Sequence, residues 1–85
     1  MKAYLHLCND NNQNSVMYQV LDEDYDLKEG QIFSYTEKLF EKLDEEGKEI
    51  FVKSKLKIGK YRVESTWTEQ NDYWGNLRIL YLRPE

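Results

Sequence analysis

The chain predicts an α+β domain: an antiparallel sheet of about five strands, in the order β-β-α-β-β-β, with one helix packed on a face. Three observations predict it. Several segments alternate apolar and polar residues with period two. One segment repeats apolar residues at helical spacing. The four glycines stand singly at the seams between segments. A small half-open barrel capped by the helix is the alternative closure of the same elements. With 85 residues, the chain reads as a single domain, 1–85. Only about 60–65% of the unfolded surface can be buried at this size, so the core is small.

The elements follow in order. Ala3, Leu5 and Leu7 alternate with Tyr4, His6 and Cys8, which reads as a strand over 2–8. Residues 9–14 are Asn, Asp and Gln, side chains that favour turns, and Val16, Tyr18 and Val20 then alternate with Met17, Gln19 and Leu21. The two strands are expected to form an antiparallel hairpin. Residues 22–30 are acidic and read as a loop. Ser34 and Glu37 match a capping box, and Tyr35, Leu39, Phe40 and Leu43 follow at helical spacing, giving a helix from about Ser34 to Glu46 with Gly47 as its C-cap. From Lys48 to Ile58 the lysines Lys53, Lys55 and Lys57 alternate with Ile50, Val52, Ser54, Leu56 and Ile58, which predicts a strand with one dry face and one lysine-coated face. Gly59-Lys60 turns the chain. Tyr61–Glu69 reads as the next strand, 70–76 as a loop, and Leu77–Leu82 as the last strand before Pro84. That last strand is apolar on both parities and suits a central position.

Composition narrows the function. Hydrophobic residues make up 40% and aromatics 14%, enough for a folded globule in which large rings carry much of the core. No apolar run approaches the ~20 residues that span a bilayer. The start of the chain is too short and polar for a signal peptide, and the lone Cys8 has no partner for a disulfide. A cytoplasmic protein with no membrane partner is the simplest expectation. Net charge is −4 but unevenly placed: residues 1–50 hold 12 acids and 5 bases, net −7, whereas 51–85 hold 4 acids and 7 bases, net +3. Such asymmetry bears on partners and association rates.

Catalysis finds little support. His6 and Cys8, two apart on one strand face, are zinc-ligand types and also a nucleophile–base pair. Yet the chain holds no other His or Cys, and no glycine-rich oxyanion turn follows Cys8. A half-buried histidine beside a small apolar cysteine is the plainer reading. The acidic loop lacks the glycine and terminal Glu of a calcium loop, and the single glycines make no phosphate cradle. Neither a metal nor an organic cofactor is expected.

The expectation is therefore a non-catalytic module: a small acidic protein that binds and inhibits or regulates a larger protein, as phage and mobile-element proteins often do. Its docking residues would be Asp22, Glu23, Asp24 and Asp26, with Tyr73 and Trp74 as aromatic anchors. The alternative is a single-stranded RNA or DNA binder. It would use the lysine-faced strand 50–62, with Lys53, Lys55, Lys57, Lys60 and Arg62 on phosphates and Tyr61, Trp67, Tyr73 and Trp74 on bases. The acidic total weighs against that alternative, and lysines also serve to keep strand edges from pairing. An exposed sheet edge leaves homodimerisation open.

Overall fold

The computed structural model describes residues 1–9 and 15–85. Five strands and two helices follow one another as β1 (Lys2–Leu7), β2 (Met17–Leu21), β3 (Ile32–Tyr35), α1 (Glu37–Glu41), α2 (Glu45–Lys53), β4 (Gly59–Asn71) and β5 (Gly75–Pro84). The strands form one sheet in the order β2-β1-β5-β4-β3, curled into a half-barrel. The α+β class and the number of strands are as expected, but the order is β-β-β-α-α-β-β, with two helices in place of one and β3 in place of the strand expected over 48–58. The pairing is mixed, because β1 and β5 run parallel and every other neighbouring pair is antiparallel.

β1 and β2 pair antiparallel as predicted, with Ala3 opposite Leu21 and Leu7 opposite Met17; of the turn expected over 9–14, residues 10–14 lie outside the described residues. β5 is central, as its two apolar parities required, and Leu77, Ile79, Leu80 and Leu82 are all buried. Tyr81 follows the register across a bulge in β4 at Glu64, where Val63 faces Leu82 but Ser65 faces Tyr81.

Two expectations are corrected. Ser34 does not cap a helix. It lies in β3, whose alternation places Phe33 and Tyr35 in the core, and the first helix is instead capped by Thr36, which accepts from the Leu39 N–H at 3.4 Å. The lysine strand over 48–58 is not a strand either, because α2 occupies most of it. The reason is visible in the residues. Phe51 falls on the lysine parity and breaks the alternation, and it is the buried residue of α2. Leu43, Gly47, Ile50, Phe51 and Ser54 instead recur at helical spacing. Asp44 caps the helix by accepting from the Gly47 N–H at 2.7 Å, and Glu45 and Glu46 sit in the first turn, where the helix dipole favours anions. Gly47 is thus inside the first turn, not past a C-terminus. A Cβ there would approach Asp44 Oδ1 to 3.1 Å and Leu43 Cβ to 3.3 Å, so its bareness leaves room for the cap.

α2 ends in a Schellman arrangement. The Leu56 N–H donates to the Phe51 carbonyl at 3.1 Å and the Lys55 N–H to the Val52 carbonyl at 3.0 Å. Lys55 therefore takes the left-handed conformation, φ +60°, usually reserved for glycine.

The helices and the 22–31 connection cover one face of the sheet. The inner parities of the strands supply Ala3, Leu5, Leu7, Leu21, Phe33, Tyr61, Val63, Leu80 and Leu82, against which Leu39, Phe51, Leu56, Tyr25 and Leu27 pack. One polar side chain is buried there. Gln19 accepts from the Tyr35 hydroxyl at 2.5 Å and donates to the Leu39 carbonyl at 2.9 Å, joining β2, β3 and α1. Burial raises the Tyr35 hydroxyl pKa far above its ordinary value, so it remains a donor.

Candidate binding face

The opposite face of the sheet is aromatic. Alternation that sends Leu5 and Leu7 inward sends Tyr4 and His6 outward, and the register sets Tyr18 of β2 opposite His6, and Tyr81 of β5 beside it. Trp67 of β4 stands next in line across Ile79. The rings make a continuous row across four strands. The Tyr18 edge meets His6 at 4.9 Å, His6 stacks on Tyr81 at 4.4 Å and 15°, and Tyr81 stacks on Trp67 at 5.5 Å and 25°. Tyr4 stacks on the other side of His6 at 4.8 Å and takes the edge of Trp74 at 6.4 Å. Beneath the rings, Leu77 and Ile79 are sealed.

The row has wet outer members. Tyr18 is 56% exposed, Trp67 41%, Trp74 39% and Tyr73 84%. The Trp67 indole N–H donates to Glu69 Oε1 at 2.8 Å. His6 is half-buried between its neighbours, with Nδ1 3.4 Å from the Ser15 hydroxyl. Desolvation lowers its pKa below the ordinary histidine value, and the nearby Glu69 carboxylate opposes that in part. Three rim cations are paired with acids: Lys2 with Asp22, Arg83 with Glu64, and Arg62 with Glu85 through two bonds of 2.9 and 3.0 Å.

Trp74 packs against Tyr4 and keeps part of its ring in water. The acidic loop forms ion pairs while its Asp22 and Asp26 side chains stay largely exposed. Arg78 binds Asp24 at 2.7 Å and Asp26 at 3.5 Å, Lys2 binds Asp22, and Glu23 accepts from the Tyr25 hydroxyl at 3.2 Å. The bond from Arg78 holds the Asp24 carboxyl below its usual range. The pairs of Asp22, Asp24 and Asp26 tie the crossing connection to β1 and β5.

The five cations assigned to a phosphate track are not brought into one row. Lys53 sits on α2, 3.9 Å from Glu49, and Arg62 is committed to Glu85. Lys55, Lys57 and Lys60 do gather around a shallow cleft of about 280 Å³, whose wall includes Tyr61. Tyr61 is a core residue, 2% exposed, and its hydroxyl donates to the Lys57 carbonyl at 2.7 Å. It offers no ring for a base. Cys8 is buried too, its N–H donating to the Leu82 carbonyl at 2.8 Å, and burial pushes its thiol pKa up, away from thiolate character. Among the described residues, no group of three or more His, Cys, Asp or Glu is placed to hold a metal ion. No described helix is long and apolar enough to cross a membrane.

Tyr4, Tyr18 and Tyr81 are not singled out from sequence as a site, and His6 only beside Cys8. Their signal was present nonetheless: the solvent parity of three strands carries large rings where charged or small polar residues would suffice. Comparison with known protein families, curated proteins and solved structures finds no significant match to this chain.

Proposed function

We propose that this chain is a non-catalytic interaction module that binds a protein partner through the aromatic face of its sheet. The observation that carries this is how the rings are used. His6 is stacked between Tyr4 and Tyr81, and Tyr81 between His6 and Trp67, so the flat faces of the central rings are already occupied. Solvent meets their edges and hydroxyls. Edges, hydroxyls and a half-exposed Trp suit the side chains and carbonyls of a protein surface. A base would find no free face on His6 or Tyr81, and phosphates would find the rim cations Lys2, Arg62 and Arg83 already paired. The nucleic-acid alternative keeps only the Lys55, Lys57 and Lys60 cluster.

The test is a photo-crosslinking residue placed at Tyr73 in the full chain, followed by identification of what it captures. A specific protein is expected, lost when Tyr18→Ala and Trp67→Ala are combined and retained in an Asp22→Asn/Asp26→Asn control. Capture indifferent to the face variants would reject this docking surface. Titration with a single-stranded oligonucleotide at low salt is expected to leave the tryptophan fluorescence unchanged; quenching there would favour the nucleic-acid reading.

A further inference from the structure

We infer that the first partner of the aromatic face is a second copy of this chain, packed sheet against sheet about a two-fold axis. This rests on the reading of that face as a docking surface and names its occupant. Three features point to it. The first is area. Tyr18, Trp67, Trp74 and Tyr73, at 56, 41, 39 and 84% exposure, together present roughly 450 Å² of ring surface. That is in the range of the largest patch a monomer carries, about 300–600 Å² and often functional, and is more than half of the ~800 Å² per partner that a stable interface buries. The half-buried Tyr4, His6 and Tyr81 supply more.

The second is charge. The whole chain carries −4, so two copies meeting through most surfaces would repel. On this face the rim cations Lys2, Arg62 and Arg83 are each paired with an acid, and the remaining Glu69 and Lys60 are of opposite sign, so two copies meet there with little net repulsion. A strongly charged partner would find no complement.

The third is shape and symmetry. The inner face of the sheet is covered by the helices and the 22–31 connection, while among the described residues nothing lies over the outer one. Packing two sheets face to face, roughly 10 Å apart, is a common way to cover such a layer. A two-fold axis sets like rings near like rings, and aromatic edges and faces are mutually complementary, so a patch mixing both can pair with itself. The dimer would leave the acidic connection and α2 of each copy on the outside.

Sedimentation equilibrium of the full chain, over concentrations from low micromolar to about millimolar, tests this. The expected result is a reversible rise from the 10.3 kDa monomer to twice that mass, with a blue shift of tryptophan emission as Trp67 and Trp74 are covered. Tyr18→Arg and Trp67→Glu, both at exposed positions, should each weaken association by about 30-fold or more, the signature of a central interface residue. Val52→Glu on the exposed side of α2 should not. Circular dichroism confirms that each variant is folded. A wild-type chain that stays monomeric throughout overturns the proposal. So does a dimer unaffected by both face variants, or one abolished only by Thr68→Pro, which would place the contact at the outer edge of β4. A monomer whose crosslinked partner is still lost in the face variants would remove the second copy while leaving the docking surface intact. A folded monomer with no face-dependent capture would remove both.

Discussion

Tyr35→Phe isolates one hydroxyl in the middle of the core. The ring stays, along with its stacking on Phe51 at 5.3 Å, so packing is nearly unchanged. What is lost is the 2.5 Å bond to Gln19 Oε1, in a place where Tyr35 is 1% and Gln19 6% exposed. Water cannot easily replace the hydroxyl, so the carbonyl oxygen of Gln19 is left without a donor. Stranding a buried acceptor costs about 1–3 kcal/mol. For a domain of this size each kcal/mol moves the melting midpoint by roughly 4–8 °C, so a fall of about 5–20 °C is expected. Gln19→Leu alone should cost a similar amount, because it strands the Tyr35 hydroxyl instead. Combining the two changes removes both polar groups. The Leu39 carbonyl that accepted from Gln19 still accepts from the Lys42 N–H at 3.2 Å. The double variant should therefore be more stable than the sum of the single losses implies, by at least about 1 kcal/mol. Urea unfolding followed by circular dichroism, on all four proteins, measures the cycle. Additive losses, or a Tyr35→Phe effect within about 0.5 kcal/mol, would refute the claim that this bond spans a dry core.

Three further outcomes follow from the same structure. Lys55→Gly should stabilise the protein by about 0.5–1 kcal/mol, since the left-handed strain removed outweighs the entropy returned to the unfolded chain; denaturant midpoints check the sign. Because the folded-state pKa of His6 is lowered, the unfolded chain binds the proton more readily, so the stability due to neutral His6 is present above about pH 6.5 and is lost as pH falls toward the folded value; His6→Gln should flatten melting midpoints measured across that window. Arg78→Met keeps the aliphatic stem but releases Asp24 and Asp26, at roughly 1 kcal/mol, so exchange of the Gly30 amide, bonded to the Val63 carbonyl at 2.8 Å, should quicken by about fivefold without global unfolding.

Much of the scaffold was legible because side-chain alternation is a local property. Ala3, Leu5 and Leu7 had to share a face whatever lay beside them, and an apolar Leu77–Leu82 on both parities had to be central. The 48–58 segment was misread because three consecutive apolar residues, Ile50-Phe51-Val52, fit either period, and the lysines, being solvated in both, could not arbitrate. Burial of Phe51 against Tyr35 and Phe40 decided it.

The candidate site divides in the same way. Local chemistry alone set the acidic bias of the first half, the turn residues, and Trp74 at a hairpin tip. Tertiary structure decided that β5 slips between β1 and β4, and only that insertion brings Tyr18, His6, Tyr81 and Trp67, spread between positions 6 and 81 of the chain, into one row. It also paired Asp24 and Asp26 with Arg78, across more than fifty residues. Sequence spacing fixes which way a side chain points from its own strand. Which strand comes to lie next to it depends on the free energy of burying the whole sheet, a sum that no short segment contains.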